Sequence, residues 1–447
     1  MSKARDIADS KPSLVSDKAN TSTGYLDLPA GTTAQRPTLD NAGGSRFNSD
    51  TGSLEFYDGT EWVSTNLIPT ISSITGNIYA GAPSTLTLSV TNTTNTIDVK
   101  YFEGGTLIMT DSGRTVTNGS ATSTVPSAVY GQTAGDTISI QVFNSDATPS
   151  SNSINKTVLT LPSGGNSIVE PSSYTGGGYR SHTFTTGGQF TNTIANLSVE
   201  YLLVAGGGGG GGGQTSSSLG AGGGGAGGMK TGTATLSAQG YTITIGGGGA
   251  GASTGASGTG TNGGNSSAFS DSVNGGGGGG TREGTQGGAN GGSGGGAAGN
   301  ASHVGGTGTA GQGNDGGDAG GGWGAGGGGG KGAAAGSAGN SDTSTAGGAG
   351  GTNYYRDGNT SGTTVGTHLF AGGGGGGGNS TVQSGGNGGS GGGGAGGGAI
   401  ANGTTGGDGI DGSGGGGGGS AWAFPQNNAT RGGHGGDGIV VIRYQLP

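Results

Sequence analysis

Few residues of this chain have types and spacings that could support catalysis. Its four histidines, His182, His303, His368 and His434, are scattered, and no carboxylate or serine is paired with them at a useful spacing. Matches to Gly-x-Gly-x-x-Gly follow from the glycine content and carry no information without a strand–turn–helix context. We therefore predict that the protein is not an enzyme and holds no cofactor.

One segment partly resembles a calcium-binding turn. Residues 406–414 read Gly-Gly-Asp-Gly-Ile-Asp-Gly-Ser-Gly, and Asp408 and Asp411 would supply carboxylate oxygens, which Ca²⁺ prefers. However, Ser413 stands where such a turn has an apolar residue. Surface aspartates in tight turns explain the same pattern, so these two residues are weak calcium candidates and we predict no metal site.

Two islands rich in side chains interrupt the glycine runs. The first island is residues 352–359 and the second island is residues 420–428. Their aromatic and cationic residues are Tyr354, Tyr355, Arg356, Trp422 and Phe424. Rigid aromatics with Arg and Asn are typical of binding loops. We expect the first island to be exposed, whereas the aromatics of the second could either bind a receptor or pack over the glycine stack. If the protein is adhesive, we expect both islands to meet at one end of the glycine-rich domain, residues 179–447.

Glycine dominates the second half of the chain. Of the 123 glycines, 102 lie in residues 201–447, and five runs contain five or more in succession. Such runs can adopt the polyproline-II helix, whose N–H and C=O groups point sideways and can pair with neighbouring helices only if no side chain intervenes. A flexible linker is the alternative. Apolar residues beside the runs and strands at both ends of the region favour a packed polyglycine body.

Composition divides the chain into five regions and predicts an elongated, mostly β, multidomain protein. The regions are residues 1–24, an N-terminal arm; 25–66, a small β module; 67–162, an immunoglobulin-like β-sandwich; 163–178, a linker; and 179–447, a polyglycine-helix domain framed by strands. In the small module, Leu54, Phe56 and Trp62 flank a hairpin turn at Asp58-Gly59. So small an apolar set predicts that these three residues meet copies of the same chain.

The overall composition limits the partners and the location. The formal net charge of −9 disfavours nucleic acid, and the chain has no cysteine for a disulfide or thiolate site. The sequence contains no run of about 18 apolar residues, so we predict that the chain does not insert into a membrane. The start has no apolar run typical of a signal peptide, so we expect assembly in a host cytoplasm and release by lysis.

Two stretches resemble known virion proteins. The first stretch covers about residues 180–445. Four segments carry its resemblance: Val199-Glu-Tyr-Leu-Leu-Val-Ala-Gly, Tyr241-Thr-Ile-Thr-Ile-Gly, Gly263-Gly-Asn-Ser-Ser-Ala-Phe and Gly438-Ile-Val-Val-Ile-Arg-Tyr. Together they resemble the glycine-rich domain of bacteriophage tail fibres and adhesins, including T-even-like fibre-tip adhesins that display variable loops to host receptors. Residues 28–37 and 46–63 resemble a small module of marine-phage fibre proteins. That resemblance implies a virion protein that is often a trimer.

These observations predict a tail-fibre or tail-tip adhesin in a virion. The expected partners are further copies of the chain, with a trimer favoured, other virion proteins through the N-terminus, and a bacterial surface glycan or outer-membrane protein. The alternative is a purely structural phage fibre or capsid decoration with no receptor-binding role.

Overall fold

A computed structural model of the protein describes most of the chain. The described residues are 28–39, 42–50, 53–57, 59–64, 68–145, 147–171, 178–213, 219–253, 258–281, 286–338, 342–353, 355, 368–378, 384–398, 404–421 and 430–445. The chain forms two compact units, Met1–Thr160 and Leu161–Pro447. Its secondary structure is mostly β, as the sequence predicts. Among the residues described, no helix is long and apolar enough to cross a membrane.

The first unit begins with a small four-stranded sheet. Its strands, in sheet order, are β1 (Ala30–Gly31), β2 (Ser45–Asn48), β3 (Ser53–Tyr57) and β4 (Trp62–Ser64). Strands β3 and β4 pair in antiparallel fashion with Tyr57 opposite Trp62, which confirms the predicted hairpin. Gly59, in the turn, has a φ of 108°, a conformation that favours glycine.

A two-sheet sandwich follows in the same unit. Its strands are β5 (Thr70–Thr75), β6 (Ile78–Tyr79), β7 (Thr85–Thr91), β8 (Thr96–Glu103), β9 (Thr106–Thr115), β10 (Ser120–Thr124), β11 (Thr137–Asn144) and β12 (Ile154–Leu159), with a short helix α1 (Ser127–Tyr130). The sheet orders are β10-β7-β5 and β6-β12-β11-β8-β9. Alternate residues of β7 and β11 are buried, and both sheets contribute to one apolar core. The predicted sandwich therefore forms from strict alternation of apolar and polar residues.

In the second unit a five-stranded sheet joins the two ends of the glycine-rich region. We call it the framing sheet; its order is β13 (Ser167–Val169), β14 (Arg180–Phe184), β23 (Ile439–Tyr444), β16 (Leu197–Val204) and β17 (Met229–Leu236). The terminal strand β23 lies between β14 and β16, as expected from the sequence. The sequence predicts a linker over residues 163–178, but Ser167–Val169 pairs with β14 as the edge strand.

Three short antiparallel ladders complete the strands of this unit. They are β15 (Gly188–Thr191) with β18 (Gly240–Ile243), β19 (Ser266–Ala268) with β20 (Asp271–Val273), and β21 (Gly351–Asn353) with β22 (His368–Phe370). The last of these ladders pairs Gly351–Asn353, which overlaps the start of the first island, with His368–Phe370.

The glycine runs form extended helices that hydrogen-bond sideways to one another. In residues 206–211 the amides donate in turn to three segments, and every third amide returns to the same segment. The bonds run from Gly206 and Gly209 to Gly264 and Thr261, from Gly207 and Gly210 to Gly436 and Gly433, and from Gly208 and Gly211 to Gly225 and Gly222. Successive donors to one segment are three residues apart, and so are the acceptors in that segment. The helices therefore have three residues per turn, the polyproline-II period. The predicted polyglycine body is confirmed.

The carbonyl oxygens of the same run complete the lattice. They accept bonds from Gly276 and Gly279, from Gly249 and Ala252, and from Gly417 and Ser420, in three further segments that run parallel to it. Residues 206–213 are buried throughout. A Cβ atom added at Gly208 would overlap the carbonyl oxygen of Gly277, so a side chain is excluded by the backbone of the next helix.

Candidate recognition site

Tyr355, in the first island, packs against the framing sheet. Arg443 on β23 is buried, and its guanidinium lies 3.9 Å from the ring centre of Tyr355 and 4.1 Å from that of Tyr179. Its Nε donates to Glu200 Oε2 at 2.6 Å from the adjacent strand β16. An arginine held between two aromatic rings and a carboxylate gains from cation–π and ionic interactions at once.

Backbone contacts fix Tyr355 further. The Ser181 hydroxyl donates to the Tyr355 carbonyl at 2.8 Å, and the Tyr355 amide donates to Asn353 Oδ1 at 2.8 Å. Tyr355 is therefore half-buried, with one ring face against Arg443, whereas the sequence predicts an exposed position. The cause is the charged pair within the framing strands, which provides a flat cationic surface. Tyr354 and Arg356 lie outside the described residues.

The second island leaves the body at a different place. Its flanks are anchored beside the last residues of the run 206–213: Ser420 donates to the Gly211 carbonyl, and Gly213 donates to the Thr430 carbonyl. The Thr430 hydroxyl also donates to the carbonyl of Ala421, which closes the chain across the segment between them. Trp422 and Phe424 lie outside the described residues, so both alternatives for them remain predictions.

The two islands are thus rooted at opposite ends of the polyglycine helices. Phe370, which ends the ladder of the first island, packs with Val204 and Ile439, where the run 206–213 begins. The second island is rooted where that run ends. Eight residues of polyproline-II helix span about 25 Å. The described flanks of the two islands thus lie at different ends of this run, whereas the expectation that the islands themselves meet at one end of the domain stays a prediction, because most of their residues lie outside the described part of the chain.

The two calcium candidates take part in a surface ladder between neighbouring helices. Asp408 accepts bonds from Arg431 Nη1 at 2.9 Å and from the His434 amide at 2.8 Å, and Asp411 accepts from the Asp437 amide at 3.1 Å. The hydrogen bond from Arg431 is the main cause that lowers the pKa of Asp408, partly opposed by burial. Both carboxylates therefore already have protein donors. In the described part of the chain, no group of three or more His, Cys, Asp or Glu residues is placed to hold a metal.

The predicted oligomerisation residues divide between two faces of the small sheet. Leu54 and Phe56 lie on one face with Phe47, and these three side chains are 39%, 40% and 42% exposed. Trp62 lies on the other face, where it contacts Tyr57 and donates from Nε1 to the Pro37 carbonyl at 2.9 Å. The sequence groups Trp62 with Leu54 and Phe56, but the strand register separates it from them.

The face opposite Leu54 and Phe56 is unusually polar for a buried surface. Glu55 is fully buried and accepts hydrogen bonds from Arg36 Nη2 at 2.5 Å and from Asn48 Nδ2 at 2.7 Å. The bond from Arg36 is the main cause that lowers the pKa of Glu55. The sheet therefore buries the face that carries Glu55 against the segment around Arg36, and it leaves the face with Leu54 and Phe56 exposed.

Among the histidines whose burial is described, His182 is the buried one. Its Nδ1 is 2.8 Å from the Gly164 carbonyl, so Nδ1 carries the proton and Nε2 can accept from the Tyr444 hydroxyl at 3.3 Å. Phe190 contacts its ring edge-on. Burial lowers the pKa of His182 to about 4, so the imidazole is neutral in the folded protein near neutral pH. Its position between strands is that of a structural residue.

Sequence reasoning missed Glu200 and Arg443 as a pair, although a charged residue inside each of two otherwise apolar strands is a usable signal. The framing sheet and the glycine lattice together define a class of protein in which backbone, rather than side chains, fills the interior. Residues 183–445 match the family described as a glycine-rich domain. The chain belongs to this glycine-rich domain family. No curated protein matches it.

Proposed function

We propose that this protein is a tail-fibre or tail-tip adhesin of a bacteriophage virion that attaches to the bacterial host surface through loops of the glycine-rich domain. The observation that carries the proposal is the all-backbone interior of the polyglycine body. Because helices without side chains offer nothing to recognise at their centre, specificity must come from side chains at their ends and on their surface. A rigid lattice also holds those groups in place, which lowers the ordering cost of binding.

The small N-terminal sheet supports assembly into a homo-oligomer, with a trimer favoured by the resemblance to phage fibre modules. The exposed Phe47, Leu54 and Phe56 form an apolar face that another copy of the chain would cover. In this proposal the N-terminus contacts other virion proteins, and assembly takes place in the host cytoplasm before lysis. Phe56→Ser should lower the sedimentation coefficient at micromolar concentration, whereas the exposed polar substitution Thr60→Ser should leave it unchanged.

A bacterial surface glycan or outer-membrane protein is the proposed receptor. The second island is the better contact candidate, because its flanking residues Ser420 and Thr430 bond at the end of the run 206–213, whereas Tyr355 of the first island packs on Arg443. Replacing both Trp422 and Phe424 by alanine should weaken attachment to cells by about thirtyfold or more, the effect of losing an aromatic anchor worth about 2 kcal/mol.

The test uses the purified full-length chain, labelled with a fluorophore, and a panel of intact bacterial strains. Tyr354→Ala, in the first island, serves as the matched aromatic control. Adhesion through the second island predicts loss of attachment with the Trp422 and Phe424 variant, normal attachment with the control, and equal melting temperatures. Equal attachment of both variants would contradict this assignment.

A purely structural fibre or capsid decoration is the second candidate. The inward packing of Tyr355 on Arg443 favours it, because that island then stabilises the sheet rather than meeting a receptor. Failure of the unmodified chain to attach to any strain, with labelled antibody still locating it on virions, would support this alternative.

A further inference from the structure

An open polar groove lies on the flank of the polyglycine body. It has a volume of about 450 Å³, within the usual range for small-ligand sites. Its side-chain lining consists of amides and hydroxyls, contributed by Asn262, Asn265, Asn274, Asn290, Thr307 and Thr309. The remaining lining residues are glycines, so among the described residues no charged or apolar side chain lines the groove.

The helix period explains why these amides are together. Asn262 and Asn265 are three residues apart, which is one turn of a polyproline-II helix, so both side chains emerge on the same side, about 9 Å apart along the axis. Both are exposed. The intervening Gly263 has no room for a side chain, because a Cβ atom there would overlap the carbonyl oxygen of Gly206. The floor of the groove is therefore backbone held by the lattice.

Hydrogen bonds to the body fix the orientation of the amides. Asn265 Oδ1 accepts from the Gly275 amide at 2.9 Å, and Asn290 Oδ1 accepts from the Thr307 amide at 2.7 Å. With each oxygen bound to the backbone, the NH₂ group of each side chain is the end left for a ligand. Within the described residues, neither Nδ2 has a protein acceptor, and the Thr307 hydroxyl has no protein partner.

The other two amides are engaged within the groove wall. Asn262 Nδ2 donates to the Asn290 carbonyl at 3.3 Å, and Asn274 Nδ2 donates to the Thr309 hydroxyl at 3.1 Å. Each of these Nδ2 groups therefore already has a protein acceptor. The groove is thus a set of fixed neutral donors facing solvent, and it suits a ligand rich in oxygen acceptors.

Charge next to the groove narrows the ligand class. The Asp315 carboxylate accepts from the amide of Gly308, a lining residue, at 2.7 Å, so the nearby fixed charge is negative. An acidic ligand would be repelled, whereas the hydroxyl and acetamido oxygens of a neutral sugar would accept from the free amides. The lining that the structure describes contains no aromatic side chain, so binding there depends on hydrogen bonds rather than on stacking.

We propose that this groove is a binding site for a neutral oligosaccharide, held by the Asn265 and Asn290 amides and the Thr307 hydroxyl. The inference rests on the proposed adhesive function and places a saccharide subsite on the flank of the body, apart from the loops at its ends. A rigid floor and pre-oriented donors reduce the ordering cost, so a few weak bonds per copy are useful when many copies act together.

The test is saturation-transfer NMR on the full-length chain with four tetrasaccharide probes. Maltotetraose, cellotetraose and tetra-N-acetylchitotetraose are neutral, and a sialic acid tetramer is the acidic comparison. The double variant Asn265→Asp with Asn290→Asp keeps both Oδ1 acceptors for the body and removes the two donors. Asn387→Asp is the matched control, since Asn387 is an exposed asparagine between glycines that does not line the groove.

The proposal predicts that a neutral probe binds, that the double variant binds it at least tenfold more weakly, and that the control binds it normally. It is overturned if no neutral probe binds, if the double variant binds as well as the unmodified chain, or if the acidic probe binds more tightly. Attachment to intact cells, measured in parallel, separates the two proposals. Attachment to cells without oligosaccharide binding would contradict the groove proposal alone, whereas failure to attach to any strain would contradict the adhesive function.

Discussion

The β-sandwich and the polyglycine body both satisfy their buried backbone groups and fill their interiors, but they do so in opposite ways. In the sandwich, backbone groups pair within each sheet, and apolar side chains such as Leu86, Leu88 and Val90 fill the space between the sheets. In the body, backbone groups pair across helices in several directions, and the glycines of the runs leave no room for a side chain between neighbouring backbones. The two regions should therefore respond in opposite ways to mutation. The sandwich should be destabilised by a smaller core side chain, and the polyglycine body by a larger one.

The largest effect should come from adding a side chain inside the body. In Gly376→Val the new Cβ would overlap the carbonyl oxygen of Ala325, and the lattice would have to separate, at a cost of about 4 kcal/mol or more. Calorimetry of the full chain should show a lowered transition for the glycine-rich unit.

Gly247→Val is the matched control for that substitution. Gly247 is exposed, and the only atom within reach of an added Cβ is Asp437 Oδ1 at 3.7 Å, an ordinary contact. This variant should keep the melting temperature of the unmodified chain. Equal destabilisation by both changes would show that glycine is needed for its flexibility and not for close packing.

Removing volume should be the damaging change in the sandwich. Leu88 is fully buried, and Leu88→Ala should cost about 3 kcal/mol because it leaves a cavity. The calorimetric transition of the first unit should fall while that of the glycine-rich unit stays in place. A shift of both transitions would mean that the units do not unfold independently.

Acid should weaken the framing sheet through His182. The pKa of this histidine is lowered from 6.5 to about 4 in the folded chain, so between these values the unfolded chain binds a proton that the folded chain does not. Stability contributed by the neutral imidazole is present above pH 6.5 and is lost as the pH falls, by about 2 kcal/mol between pH 7 and pH 5. Amide exchange of β14 and β23 at both values measures this loss.

His182→Gln provides the comparison for the acid effect, because a neutral amide does not titrate. The variant should be less stable at pH 7 but should lose less stability on acidification than the unmodified chain. The same pH dependence in both chains would assign the effect to carboxylates elsewhere in the sheet.

The smallest effect should come from the surface ladder. Arg431 and Asp408 are 37% and 50% exposed at the side chain, so Arg431→Ala should cost less than about 1 kcal/mol, and salt should reduce the difference. A loss of several kcal/mol, measured by the same calorimetry, would show that the exposed ladder and not the buried lattice holds adjacent helices together.

Sequence alone predicts the sandwich and the framing strands well because alternation in β7, β11 and β16 is a local signal. It also predicts the polyglycine helices as a class. It does not predict which helix lies beside which, since one glycine amide is chemically the same as the next and only the tertiary lattice selects a partner. For this reason the ends at which the two islands emerge, the packing of Tyr355 and the groove beside Asn265 are visible only in three dimensions.

Amide hydrogen exchange across the run 206–213 tests the central claim most directly. Each of these residues is buried, and their amides are bound to neighbouring segments, so the run should exchange as slowly as the buried strand β16 that precedes it. Slow exchange in the run, lost in Gly376→Val and retained in Gly247→Val, is the result that a packed polyglycine lattice predicts. Exchange at the rate of an unstructured peptide would contradict the lattice and identify the region as a flexible linker.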